Sequence, residues 1–367
     1  VTAARPFIPP DLDTPALVVD LDVVDANNRR LVDHLALRGI SLRPHAKTHK
    51  SLALARMQLE AGARGITVGT LGEAEVFAAG GITDLFLAYP IWAVGPKAAR
   101  LRALHERTPM IVGVDSVVAA ERLAAAVAGL PTRLRVMVEL DPGSRRTGVD
   151  SAATALRVAE AATSLGLEAM GVFTHGGHGY AGPNARLSAA GDEVRVLSDA
   201  AVALRAAGFD CRVVSAGSTP TMWDAVGGEV TEMRAGTFVL GDRQQAALGA
   251  IDLDDIALHV ASTVVSTAVA GQVVLDAGAK TLTKDRAPYL EGHGLIRGYP
   301  DAVIERVSDY HGVVRIPAGT PAPHLGEVVA IVPNHVCPVV DLFDSFVAVR
   351  GDAVVGTWPV DARGRRG

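Results

Sequence analysis

Leu134-Arg135-Val136-Met137-Val138-Glu139-Leu140, the segment Ala152–Leu165 and Ala169-Met170-Gly171-Val172-Phe173-Thr174 follow one another along the chain. The first and last are β-branched apolar runs of strand length, and the middle one repeats Ala, Leu and Val at helical spacing. A strand, a helix and a second strand in this order make a parallel β-α-β unit. The same alternation recurs outward from it, from about residue 23 to 250. Further strand candidates are Ser41–His45, Ile66–Thr70, Leu85–Tyr89, Ile111–Val114, Arg212–Ser215 and Thr237–Leu240. Further helical segments are Ser51–Ala61, Leu71–Ala79, Lys97–Glu106, Ser116–Ala128 and Ala185–Ala207. Eight evenly spaced strands, with no G-x-G-x-x-G after the first, favour a closed (β/α)8 barrel of the TIM type over an open doubly wound sheet.

The pattern changes after Ile251. Val260–Val269, Gly271–Leu275, Gly312–Ile316, Glu327–Ile331, Ser345–Arg350 and Ala353–Trp358 are Val-rich runs broken by Gly, Pro and Asp. They read as a mostly antiparallel β domain. The expected division is therefore an N-terminal segment over 1–22, whose strand Ala16–Asp20 packs with the β domain, a barrel over 23–250 and the β domain over 251–367.

The 367 residues carry 35 basic and 40 acidic side chains, a formal charge of −5, which excludes a polybasic nucleic-acid binder. Aromatic residues make up 4%, so the interior is built from Ala, Val and Leu, as suits a helix-rich α/β fold. No stretch approaches the ~20 apolar residues of a membrane span. Two cysteines, Cys211 and Cys337, exclude a disulfide framework and point to a reducing compartment. The opening residues lack the apolar run of a secretory signal, so a cytoplasmic protein is expected, with neither nucleic acid nor membrane as partner.

Barrel chemistry sits at the carboxyl ends of the strands. Strand one runs into His45-Ala46-Lys47-Thr48-His49-Lys50. A lysine there, among other cations, is either an amine freed for imine formation or one member of a solvated basic loop. Strand seven ends in Gly217-Ser218-Thr219-Pro220, which reads as a helix start whose amides and hydroxyls cradle a phosphate. A nucleophilic amine and a phosphate nest at one barrel mouth match the needs of pyridoxal 5'-phosphate. In the β domain, His335 and Cys337 stand two apart, and on an extended strand both would share a face. Imidazole and thiolate suit Zn²⁺. The alternative is a packed cysteine beside a surface histidine.

Together, Arg43-Pro44-His45-Ala46-Lys47-Thr48-His49-Lys50, Gly217-Ser218-Thr219-Pro220-Thr221, Arg234-Ala235-Gly236, Asp276-Ala277-Gly278 and His335-Val336-Cys337 resemble the D-threonine aldolase and D-serine dehydratase family of pyridoxal-phosphate enzymes, which have the alanine racemase fold. The resemblance implies an alanine racemase-like barrel followed by a β domain, a homodimer, and a lyase acting on small D-3-hydroxy amino acids. By position it implies that Lys47 holds the cofactor as a Schiff base and that Arg146 faces the phenolic oxygen. Arg234 would lie beside the pyridine nitrogen, and His175 and Tyr180 at the ring and substrate side, with catalytic roles. Ser218, Thr219, Gly236 and Thr237 would form the phosphate cup, and His335 and Cys337 would hold a divalent metal, Zn or Mn. The Asp276-Ala277-Gly278-Ala279-Lys280 run and the tail Trp358–Gly364 look more like the aldolases, whereas the Gly-Ser-Thr-Pro loop and the His-x-Cys pair look more like the dehydratases. The aldolase, which cleaves D-threonine to glycine and acetaldehyde, is the primary expectation and the ammonia-lyase is the alternative. A racemase and a non-enzymatic cofactor carrier stand behind both.

Overall fold

The computed structural model describes residues 6–367; residues 1–5 of the expected N-terminal segment lie outside the described residues. Two compact units form. One comprises Arg30–Lys47, Leu54–Gly236 and Gly364–Gly367, and the other the chain up to Arg29, Thr48–Ala53 and Thr237–Arg363.

The first unit holds eight parallel strands: Ser41–Leu42, Ile66–Val68, Leu85–Leu87, Met110–Val114, Arg135–Leu140, Glu168–Thr174, Val213–Ala216 and Glu232–Met233. Consecutive strands pair from the second to the eighth, the eighth pairs with the first, and a parallel bridge between His45 and Thr67 joins the first to the second. The sheet is thereby closed into a barrel. Helices Leu71–Ala79, Val117–Val127 and Ala152–Ser164 follow strands two, four and five. Each opens on a hydroxyl that accepts an otherwise unpaired amide: Thr70 from Glu73, Ser116 from Ala119 and Ser151 from Thr154. Phe86, Ile111, Met137, Met170, Phe173 and Val213 form a buried cluster, with Phe86 and Phe173 edge to face at 5.1 Å.

The eighth strand differs from the expectation. Thr237–Val239 is a 3-10 turn, and the strand is the two-residue Glu232–Met233. An apolar run buried in the other unit mimics a strand in sequence, while the true strand is short and carries a carboxylate into the interior.

Among the described residues, the second unit is a nine-stranded sheet. Gln272–Leu275, Gly312–Arg315, Val303–Val307, Gly294–Ile296, Val328–Pro333 and Leu258–Ser266 pair in that order, and the last pairs back on the first, closing a six-stranded antiparallel barrel. Ala16–Asp20 continues the sheet from Leu258–Ser266 as its antiparallel neighbour and then pairs in parallel with Ser345–Arg350, beside Ala353–Pro359. Strand Gly294–Ile296 escaped the sequence pattern because it is only three residues long, and Val303–Val307 because it is largely exposed and carries Glu305 and Arg306.

His259 of this sheet pairs opposite Val18 and is buried, with Nε2 making no hydrogen bond among the described residues. Burial, and secondarily Arg297, push its pKa down to about 3. It is neutral in the fold and takes up a proton on unfolding once the pH is below its ordinary value of 6.5. Its contribution to stability is complete above that value and declines, by about 1.4 kcal/mol per pH unit, as the pH falls toward 3. Urea unfolding at pH 7 and pH 4.5 is expected to show this slope in wild type and a shallower one in His259→Leu.

Among the described residues, no helix is long and apolar enough to cross a membrane.

Candidate active site

At the carboxyl ends of the barrel strands lies a cavity of about 210 Å³ whose wall includes His45, Lys47, Tyr89, Arg146, His175 and Arg234. Lys47 sits in the turn Ala46–Thr48 directly after strand one, and His175 directly follows strand six. Arg146 comes from the loop after strand five. Asp141 shapes that loop by accepting from the amides of Gly143 and Arg145 at 2.9 and 3.0 Å. Buried Glu139 accepts from Thr147 Oγ1 at 2.9 Å and lies 3.6 Å from Arg146 Nη2. Burial raises the Glu139 pKa, with Thr147 and then Arg146 opposing. Gly69 passes beside Lys47, where a Cβ would stand 3.7 Å from the lysine Cβ.

The two imidazoles are electronically alike and hydrogen-bonded differently. Burial, and then the neighbouring Lys47, hold both His45 and His175 well below their ordinary pKa, so both are neutral near pH 7. His175 Nδ1 lies 3.4 Å from the Gly217 carbonyl. A carbonyl can only accept, so Nδ1 bears the proton and Nε2 keeps a lone pair. His45 Nδ1 instead accepts from the Lys47 amide at 3.5 Å, which places its proton on Nε2.

Glu193, on helix Ala185–Ala206, ties two strand ends together without touching the cavity. Its Oε1 accepts from the amides of Gly176 at 2.8 Å and Gly217 at 2.9 Å. A Cβ on Gly176 would stand 2.7 Å from the Glu193 carboxyl carbon, so only glycine allows this approach. Glu193→Ala leaves two buried amides unpaired and is expected to cost about 2–4 kcal/mol in urea unfolding. It should also weaken cofactor binding, because the loops carrying His175 and Ser218 lose their shared brace.

Not every expected residue reaches the wall. Ser218 and Thr219 are buried in the loop after strand seven, and Gly236 follows strand eight; none of the three lines the cavity. The loop is not a helix start. Residues 219–224 form successive turns in which the Thr221 amide bonds the Ser218 carbonyl and the Met222 amide the Thr219 carbonyl, so a phosphate there would rely on local amides and hydroxyls rather than a helix dipole. Gly236 is buried, and its amide makes no hydrogen bond among the described residues. Thr237 belongs to the second unit. Tyr180 packs against His175, ring centroids 6.4 Å apart. His178 pairs with Asp192 at 3.3 Å, and Trp92 lies under Arg122 away from the wall. Among the described residues no carboxylate lines the cavity, whereas Lys47, Arg146 and Arg234 do, a donor set that fits an anionic ring such as pyridoxal phosphate.

In the second unit, His335 is extended and precedes the helical turn Val336–Val340, which contains Cys337. The pair is therefore not on one strand. A helix start brings the two side chains into hydrogen-bonding reach, and Asp242, fully buried, fixes that start by accepting from the Val336 amide at 3.0 Å. His335 Nδ1 meets Asp285 Oδ2 at 3.0 Å. Although burial opposes it, Cys337 and then Asp242 and Asp285 push His335 up to about 9. Cys337 Sγ also lies 3.4 Å from Thr48 Oγ1 and 3.8 Å from Thr237 Oγ1. Among the described residues no three His, Cys, Asp or Glu side chains are grouped to hold a metal. The imidazole and sulfur, with a carboxylate behind the imidazole, suit a borderline-soft divalent ion that would take its other ligands from water and substrate. Asp285 is the carboxylate beside this imidazole, whereas Asp309 pairs with Lys280. Asp285, Glu193 and the tautomer of His175 carry no sequence signal, since each depends on a partner far along the chain or on a backbone carbonyl.

The family model for the alanine racemase N-terminal domain matches residues 19–244, and a D-serine dehydratase-like domain model matches 257–349. D-threo-3-hydroxyaspartate dehydratase of Delftia sp. is 37% identical, covering 95% of this chain and 97% of its own. Solved structures of D-threo-3-hydroxyaspartate dehydratase, with a TM-score of 0.88, include the one from Delftia sp. HT23, a histidine-to-alanine variant and a cysteine-to-alanine variant in the metal-free form. D-threonine aldolase of Arthrobacter sp. is 34% identical, covering 96% of this chain and 93% of its own. The crystal structure of D-threonine aldolase from Filomicrobium marinum superposes with a TM-score of 0.90 at 33% identity, covering 99% of this chain and all of that one. With a barrel closed by eight parallel strands, a cationic cavity at their carboxyl ends and these full-length matches, the chain belongs to the D-threonine aldolase and D-serine dehydratase family of the alanine racemase fold.

Proposed function

We propose that this chain is a pyridoxal-phosphate- and divalent-metal-dependent lyase that cleaves D-3-hydroxy amino acids by the aldolase route, D-threonine giving glycine and acetaldehyde. The observation that carries this is the His175 tautomer: a neutral imidazole with a bare Nε2 lines the same cavity as Lys47. Lyases of both kinds among the relatives support the broader class.

Lys47 would hold the cofactor covalently, with Arg146 and Arg234 on its ring, and His335 and Cys337 would hold the metal. Bound there, the cofactor delocalises negative charge from Cα, and the metal acidifies the substrate hydroxyl. His175 Nε2 accepts the β-hydroxyl proton as the Cα–Cβ bond breaks, and its Nδ1–H bond to Gly217 keeps the ring from turning. His45 Nε2–H donates from the opposite protonation pattern, and the two rings together offer one acceptor and one donor. Asp285 orients His335, as a carboxylate behind a ligating imidazole does.

A second reading is the dehydratase, favoured by the His335-x-Cys337 pair and by the 37% identical D-threo-3-hydroxyaspartate dehydratase of Delftia sp.. In it Lys47 removes the Cα proton and the β-hydroxyl leaves as water. Product analysis separates the two. Acetaldehyde with glycine from D-threonine supports the aldolase, and 2-oxobutyrate with ammonia replaces it by the dehydratase. Cys337→Ala is expected to lower metal affinity by about ten-fold or more while cofactor loading stays at the wild-type level. Metal content after dialysis measures this, and retention of the full complement would return Cys337 to a packing role.

A further inference from the structure

The interior of a (β/α)8 barrel is ordinarily filled by Val, Ile and Leu. Here part of it is a continuous polar chain. Arg43, just after strand one, donates from Nη1 and Nη2 to Asp84 Oδ1 and Oδ2 at 2.8 and 3.1 Å, and from Nε to Glu232 Oε2 at 2.8 Å. The other Glu232 oxygen, Oε1, accepts from Ser215 Oγ at 2.7 Å. Ser215 Oγ accepts from Arg234 Nε at 2.8 Å. Arg43, Ser215, Glu232 and Arg234 are all buried, Glu232 to within 1%.

The order of donors is forced. A carboxylate only accepts, so the single Ser215 proton is committed to Glu232, and a lone pair is what Ser215 offers to Arg234. Arg234 Nη2 donates to the Thr174 carbonyl, and the guanidinium lies 5.1 Å from the Phe173 ring and 5.7 Å from Phe86. Nη1 makes no hydrogen bond among the described residues, on a side chain that lines the cavity. Buried ion pairs of this kind add little stability over well-packed apolar side chains, so stability does not account for the chain.

We propose that Glu232 and Ser215 are positioning residues that clamp Arg234 by Nε, while the Thr174 carbonyl holds Nη2, and so present Nη1 to the cofactor ring. The inference rests on the cavity taking pyridoxal phosphate, as under Proposed function. Glu232 also neutralises a buried cation on each side, and it is the first cause opposing the fall in Arg234 pKa that burial brings.

The test uses the full chain loaded with pyridoxal phosphate and reads three quantities: the cofactor dissociation constant, the pH midpoint of the bound cofactor's visible band, and Tm. Ser215→Ala keeps the Arg43–Glu232 pair. It is expected to fold with a near-wild-type Tm, to raise the dissociation constant about ten-fold, and to raise the midpoint by about one pH unit, because a loosely held cation opposes protonation of the chromophore less. Glu232→Gln should move both quantities the same way and lower Tm further; if it does not fold, Ser215→Ala decides. Asp84→Asn, at the outer end of the chain, should lower Tm and leave the midpoint unmoved. Folded Ser215→Ala with the wild-type midpoint and affinity overturns the proposal and leaves the chain a structural feature. A wild-type protein that develops no band at all overturns the functional reading itself, an outcome distinct from that one.

Discussion

Lys47→Ala is expected to abolish covalent attachment of pyridoxal phosphate and to reduce turnover of any D-3-hydroxy amino acid by at least about 10³-fold. The expectation follows from where the lysine stands. It lies in the turn directly after strand one, on a wall with Arg146 and Arg234, while the two histidines beside it are neutral. Among the described residues it is the one primary amine on that wall, so no neighbour can substitute for it. Lys47→Arg separates the roles of charge and nucleophile. It keeps the cation but lacks an amine that can be neutral at working pH, and it should lose as much as the alanine variant. Borohydride reduction followed by mass measurement of the intact chain reads the attachment directly. A cofactor still fixed to Lys47→Ala would move the nucleophile elsewhere, and an active Lys47→Arg would make Lys47 an electrostatic group only.

Gly171→Ala should destabilise the first unit by at least about 3 kcal/mol. Strand six slips by one residue against strand five: Val136 pairs with Ala169 and Met137 with Gly171, so Met170 is the extra residue of a bulge. Immediately after the bulge, Gly171 pairs with Val213 of strand seven, and a Cβ there would stand 1.8 Å from the Val213 carbonyl oxygen. The obstacle is backbone, with no side-chain end to move aside, so the pairing of strands six and seven must open. Since His175 follows strand six and Gly217 follows strand seven, cofactor affinity should fall along with stability. Gly191→Ala is the control. Gly191 is an exposed helix glycine, and the Cβ it would gain meets nothing within 4 Å among the described residues, so its replacement should stabilise by about 0.5–1 kcal/mol. Urea midpoints for the two variants on either side of wild type would fit this account, and an unshifted Gly171→Ala would refute it.

Regular elements were legible where periodicity and capping agree. Leu71–Ala79 and Ser345–Arg350 have the bounds expected from sequence, and the helices capped by Ser116 and Ser151 begin within one residue of it. The eighth barrel strand was illegible because two residues, one of them Glu232, leave no apolar run to read. The His335 and Cys337 pair was legible as a spacing and misread as a strand, since the helical turn after His335 depends on Asp242, more than ninety residues earlier.

The sequence by itself determined the two-part architecture, the family, and the residues Lys47, Arg146, His175 and Arg234 at the strand ends, because period, capping and motif order are local properties. Tertiary structure alone decided which of these share a wall, which nitrogen of His175 holds a proton, and which partners Glu193, Glu232, Ser215 and Asp285 meet. Those depend on a carbonyl, a carboxylate or an amide brought close by strand closure, and no local pattern of side chains encodes such a meeting.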